Sequence, residues 1–291
     1  MFTPETFEIH AIRIVFGRYN KPIHIYPFGD IHWNSESCDK KKFLAWCAVV
    51  KQDPLAFFVG MGDYLDSLSF NERKCFIASA LHDSSFERIE KAFREDTEDF
   101  IKQIKFMRGK CIGIIGGNHY YKFASGITTD EMVCQALNCK FLGVNAIVVL
   151  RLWHDIHHTH QIKIVLHHGR GGGRTCGSSI NKLQEMLSSY DGVDIVLQGH
   201  DHNRNVDYVN RLGITEARNG KPKLYEKKIL LARTGSFLRG YEPGKTSYVV
   251  GKALPPADLG GIKIELTPRR EYKTTGSKRF DNRWVEIKAV L

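Results

Sequence analysis

Short apolar runs alternate with longer amphipathic ones through the first two-thirds of the chain, and the two spacings predict different elements. Ile23 to Phe28, Leu55 to Val59, Cys111 to Ile115, Ala146 to Trp153, Gln161 to His167 and Val193 to Leu197 have the length and composition of strands. Between them, Lys40 to Val50, Ser85 to Met107, Thr129 to Leu137 and Ser178 to Ser189 have the character of helices. The second of these follows the cap residues Asp83-Ser84-Ser85, with Glu87 and Glu90 near its positive end. Ser178 is placed to cap the fourth, directly after Gly177. Such alternation predicts an α/β fold in which helices cross over a sheet.

Beyond His202 the pattern changes. The β-like stretches Lys228 to Ala232, Ser247 to Val250, Gly261 to Leu266 and Trp284 to Val290 are separated by Gly, Pro and charged residues. They read as strands of a second sheet or of a β-rich extension, with the polar, basic segment Pro268 to Arg283 as a mobile loop before a closing strand. The expected organisation is one domain over residues 1–291, with the chemistry in 30–202 and a basic, β-rich completion in 203–291. No internal repeat is evident.

Composition narrows the class. At 291 residues and 42% apolar, the chain can bury a substantial core. No apolar run approaches the roughly 18–20 residues that span a bilayer, and Met1 to Glu5 lack the basic and apolar features of a secretion leader. The 7 cysteines include no CxxC pair, which argues against a disulfide framework and a thiolate zinc site. A cytoplasmic protein without a membrane partner is expected. The net charge of +10 falls entirely within residues 204–291. Such an excess suits either a polyanion-binding surface or a solubilising face.

Five strand-like runs end directly in residues able to bind a metal. The first leads into Asp30 and His32, the second through Gly62 into Asp63 and Asp66, and the third through Gly116-Gly117 into Asn118 and His119. The fourth leads into His167-His168-Gly169, and the fifth through Gly199 into His200 and His202. In α/β sheets, ligands gather beyond the carboxyl ends of strands, so five such endings can meet in one crevice. Neighbouring glycines permit the tight turns this requires. Four histidines lie between His154 and His160, but their place between two strands reads as a hairpin tip. Trp33, directly after His32, can stack on a base or sugar but reads rather as packing against a loop, and Arg170 and Arg174, in a glycine-rich stretch, are candidates to clamp a substrate phosphate or are simply solvated.

The five blocks Asp30-Ile31-His32, Gly62-Asp63-Tyr64-Leu65-Asp66, Gly117-Asn118-His119, His168-Gly169 and Gly199-His200-Asp201-His202 resemble, in order, those of the calcineurin-like metallophosphoesterase superfamily. The resemblance implies a four-layer α-β-β-α sandwich of two mixed sheets with a dinuclear metal site at the strand C-terminal ends. It implies that Asp30, His32, Asp63 and His202 hold one divalent ion and that Asp63, Asn118, His168 and His200 hold the other. Ligands of this type suit Mn²⁺, Fe or Zn²⁺, with Mn²⁺ preferred here. It further implies His119 as general acid, Asp66 as its orienting partner, and a hydroxide between the ions as nucleophile. Tyr120 stands where the family often has an acid. Ser67-Leu68 and Gly116 replace residues of the Ser/Thr phosphatase branch, and a phosphate-binding arginine of that branch is missing. The expected function is therefore a phosphodiesterase or nuclease acting on nucleic acid or nucleotides. A phosphomonoesterase is the alternative, and a non-catalytic polyanion-binding module is an alternative of another class.

Overall fold

The computed structural model describes residues 7–78, 82–155, 158–169, 171, 175–216, 220–244, 247–251, 253–275 and 278–291. The chain runs through β1 (Phe7–Val15), β2 (Ile23–Phe28), α1 (Lys40–Lys51), β3 (Ala56–Gly60), α2 (Phe70–Ala78) and α3 (Asp83–Ile104). It continues through β4 (Cys111–Ile114), α4 (Thr129–Leu137), β5 (Asn145–Asp155), β6 (His158–His167), α5 (Cys176–Ser188) and β7 (Ile195–Gln198). The last third holds β8 (Arg204–Glu216), β9 (Pro222–Thr234), α6 (Tyr248–Gly251), β10 (Lys263–Thr275) and β11 (Lys278–Val290).

These strands form two mixed sheets, one in the order β1-β5-β6-β7-β9-β8 and the other in the order β11-β10-β2-β3-β4. The sheets pack face to face through Ile25, Val59, Ile112, Val148, Ile164, Ile195, Leu230 and Ile264, all buried. A second cluster seats α1, α3 and α4 on the outer face of the five-stranded sheet, through Phe43, Cys47, Phe100, Ile104 and Val133 against Phe28 and Phe58. A third seats α5 on the six-stranded sheet, through Leu183 and Leu187 against Val165, Val196 and Leu231. Fully apolar runs thus become strands covered on both faces, and the result is the four-layer α-β-β-α arrangement. Among the described residues, no helix is long and apolar enough to cross a membrane.

Several expectations need correction. The helix expected from Ser178 begins at Cys176 with Thr175 as its cap, and the one expected from Ser85 begins at Asp83. Ser247 to Val250 is not a strand, because Tyr248–Gly251 forms the short helix α6. Pro268 to Arg283 is not an irregular loop. Its residues extend β10 and β11 into a hairpin whose register runs from Lys263↔Val290 to Thr275↔Lys278. Cross-strand ion pairs supply what apolar alternation does not. Arg270 donates to Asp281 from both Nε and Nη2, and Arg269 donates to Glu286 likewise. The late strands do not form a separate layer either, since β8 and β9 complete one sheet and β10 and β11 the other.

Candidate metal centre

β2, β3 and β4 are parallel neighbours in one sheet, and β6 and β7 are parallel neighbours in the other. Their carboxyl ends therefore lie together, and the loops that follow are laced by backbone bonds. The amides of Asp30 and Ile31 donate to the carbonyls of Gly62 and Asp63, each at 2.9 Å. The turns are sharp. Of the eight non-glycine described residues with positive φ, five are Asp30 (48°), His32 (50°), Asp63 (50°), His200 (73°) and His202 (57°). Left-handed backbone is unfavourable for residues with a Cβ, and it concentrates where function requires a particular side-chain aim. The glycines between them are needed for closeness. A Cβ on Gly117 would overlap the Asp63 carboxylate, and one on Gly199 would crowd Asp30.

The side chains gather into linked groups. Asp30, His32 and His202 each present a ligand atom within 4.8 Å of the others, and so do Asp63, His168 and His200. Asp63 joins the groups. Its Oδ1 accepts the amides of Asn118 (2.7 Å) and His119 (2.9 Å). Its Oδ2 lies 3.1 Å from His168 Nε2 and 3.9 Å from His32 Nε2. Asn118 Oδ1 lies 2.9 Å from the same His168 nitrogen. His168 Nδ1 donates to the carbonyl of Met61 at 2.8 Å, which turns Nε2 toward the cluster. His202 Nε2 is 3.7 Å from Asp30 Oδ1, and the His200 amide donates to Asp30.

The electrostatics are those of a site able to hold a metal ion. Asp30 and Asp63 are buried at 0% and 2% exposure beside a set of imidazoles. Burial pushes Asp30 up to about 7. Burial also opposes charge on Asp63, but His168 and His32 outweigh it and hold that carboxyl well below its usual range. Burial likewise opposes charge on His168, yet Asp63 carries it to about 10. His200 falls to about 4 and His202 to about 3, first through burial and then through neighbouring imidazoles, so both are neutral and able to ligate. His32 is buried, and neither ring nitrogen has a hydrogen-bond partner, a costly arrangement unless something else fills the role. Oxygen and imidazole donors without thiolate suit Mn²⁺, Fe or Zn²⁺.

His119 stands at the edge of this cluster, 3.0 Å by Nδ1 from Asp66 Oδ1 but off the line of an ideal hydrogen bond. Burial works against its charge, but Asp66 and Asp63 raise its pKa above the ordinary value. Asp66 also lies 3.4 Å from His32 Nδ1, so one carboxylate faces both rings.

No family model and no curated protein matches the chain. Among solved structures, Vps29 of Chaetomium thermophilum is similar at 10% identity and a TM-score of 0.34, over 92% of this chain and 97% of that one. The geometry above, rather than this likeness, carries the reading of the site.

Other expected residues are distributed as follows. His167 turns back to accept the Gly169 amide at 2.7 Å, so His168 is the histidine that reaches the cluster. Trp33 is buried against Phe43 and Phe100, with its Nε1 donating to Asp99, and is unavailable for stacking on a ligand. β5 and β6 pair antiparallel on either side of the histidine-rich segment, and its residues 156 and 157 lie outside the described residues. Arg170 and Arg174 lie outside the described residues. β8 leaves the site two residues after His202, and β10 runs antiparallel to β2, so both late hairpins turn at the opposite end of the sheets.

Two supporting arginines escaped the sequence reading. Arg233, at the end of the apolar run in β9, is 2% exposed. It donates to the carbonyls of Gly199 (3.1 Å) and Ser179 (3.0 Å), and its Nε lies 3.3 Å from Asp201. It thereby holds the turn that carries His200 and His202. A lone arginine closing a buried strand was the available signal. Arg73 belongs to α2, a helix too weakly patterned to be read.

Proposed function

We propose that the chain is a metal-dependent phosphoester hydrolase of the calcineurin-like kind, acting on phosphodiesters of nucleotides or nucleic acid. The observation that carries this reading is the placement of one oxygen, Asp63 Oδ2, between two groups of buried histidine and carboxylate donors. Asp30, His32, Asp63 and His202 would hold one ion, and Asp63, Asn118, His168 and His200 the other, with Mn²⁺ as the preferred metal. Such ions, when bound, polarise a phosphoryl oxygen and make water a stronger nucleophile at neutral pH.

The chain's own residues supply the rest. His119, carrying its proton beside Asp66, donates to the leaving oxygen, while Asp66 keeps the ring turned with Nδ1 inward. Arg170 and Arg174 are assigned to the substrate phosphate by their position after His168 alone. His119→Ala should lower kcat roughly 10²–10⁴-fold on esters with poor leaving groups and much less on p-nitrophenyl esters, which need little protonation. Equal loss on both would remove His119 from the role of acid.

The substrate class is tested by turnover with Mn²⁺ of single- and double-stranded oligonucleotides, bis-p-nitrophenyl phosphate and p-nitrophenyl phosphate. Cleavage of the diesters supports the proposal. Rapid cleavage of the monoester with no oligonucleotide turnover would make the protein a phosphomonoesterase instead.

A further inference from the structure

We infer that Arg73 is a positioning residue that holds the Asn118–His119 turn in place, with Tyr120 as its platform. This rests on the proposed roles of Asn118 as ligand and His119 as acid. The amide side of that turn is tied inward. Asn118 and His119 donate to Asp63 Oδ1, and Gly117 donates to the buried Asp130 at 3.2 Å. The carbonyl side is tied by Arg73. Its Nη1 donates to the carbonyls of Asn118 (2.9 Å) and Tyr120 (3.2 Å), and to that of Leu68 in the loop after Asp66. The guanidinium carbon lies 3.9 Å over the Tyr120 ring. One cation thus bridges the loops that follow β3 and β4, on which Asp63, Asp66, Asn118 and His119 stand.

The start of α2 is built to present this side chain. The Ser69 amide donates to the Glu72 carboxylate at 2.7 Å, and the Arg73 amide donates to the Ser69 carbonyl at 2.9 Å. A planar guanidinium can stack on an aromatic ring while its edge reaches several carbonyls, and a lysine ammonium cannot do both. The tyrosine after Asn118-His119, which departs from the expected acid, is therefore half of a clamp.

Without Arg73, the peptide planes that place Asn118 Oδ1 and the His119 ring lose their outer restraint. Supporting groups of this kind typically cost roughly 10–100-fold in metal affinity or activity when removed. The test compares Arg73→Met, Arg73→Lys, Tyr120→Leu and Tyr120→Phe. In metal-free protein, amide hydrogen exchange over residues 117–121 should quicken by about tenfold or more in Arg73→Met and Tyr120→Leu. It should stay slow in Tyr120→Phe, which keeps the ring, and fall between for Arg73→Lys. Mn²⁺ affinity, measured by calorimetry, should fall with the same ranking. In turnover, kcat should fall most on poor leaving groups while KM holds.

Unchanged exchange and unchanged Mn²⁺ affinity in Arg73→Met would overturn the inference. A raised KM with kcat intact would also overturn it, by making Arg73 a substrate contact. If Arg73→Met does not fold, Tyr120→Leu decides, since it removes the platform without uncovering the carbonyls. Should the wild-type protein hydrolyse no phosphoester, the functional reading fails, while exchange and Mn²⁺ affinity still decide the place of Arg73.

Discussion

Asp63→Ala should bring hydrolysis down by more than about 1,000-fold, beyond the roughly 10²–10³ that follows loss of a single oxyanion donor. Three functions end together. The oxygen facing His32 and His168 disappears, so both donor groups lose a shared ligand. The amides of Asn118 and His119 lose their acceptor, which loosens the turn that aims them. The remaining imidazoles also lose the negative charge that allows cations to gather beside them. Metal content by mass spectrometry should fall along with Mn²⁺ affinity by calorimetry. Asp63→Asn separates the effects, because its amide oxygen can still receive the backbone bonds while the charge is gone. An Asp63→Ala protein that kept its full metal content would refute the bridging assignment.

The largest expected loss of stability belongs to Arg233→Met. Arg233 and Asp201 are 2% and 1% exposed by side chain, and Asp201 also accepts the Ser179 hydroxyl at 2.6 Å. Removing the cation leaves a carboxylate buried without its main partner, and breaking a buried pair in this way costs about 3–5 kcal/mol. Urea unfolding of the metal-free protein should report that loss as a lower midpoint with an unchanged slope. Adding Asp201→Asn to the same chain should recover part of it, since the stranded charge is then gone. A loss below about 1 kcal/mol would mean that Asp201 finds another partner or reaches water. The pair spans the histidine turn and the start of α5, so Mn²⁺ affinity should fall even where the variant remains folded.

Much of the architecture was legible because the buried strands are uninterrupted apolar runs. β2 appears at its expected bounds, and α4 from Thr129 to Leu137 does too, capped by Thr128 and Glu131 in a reciprocal box. What escaped lacks that signal. β1 reads poorly because Phe7, Ile9 and Val15 face outward and are exposed, while Glu8 and His10 on the opposite side are half-buried. The distal parts of β8 to β11 extend beyond the core and are held by cross-strand backbone bonds, joined in β10 and β11 by paired charges, which no apolar period announces. The site was legible for a different reason. The His, Asp and Asn residues that cluster there follow strands in a fixed order, whereas Arg73 and Arg233 reach it from elements distant in sequence and show their use only once the chain is folded.

The left-handed geometry at Asp30, His32, Asp63, His200 and His202 sets a cost on the stability of the fold around this cluster. Each such residue costs the fold about 1–2 kcal/mol that glycine would relieve. Relaxing them to glycine would ease the backbone but would also remove the Asp63 carboxylate that accepts the Asn118 and His119 amides and the Asp30 carboxylate that accepts the His200 amide. Summed over the five positions, the strain is comparable to the whole stability of a small domain, and it is set against those bonds.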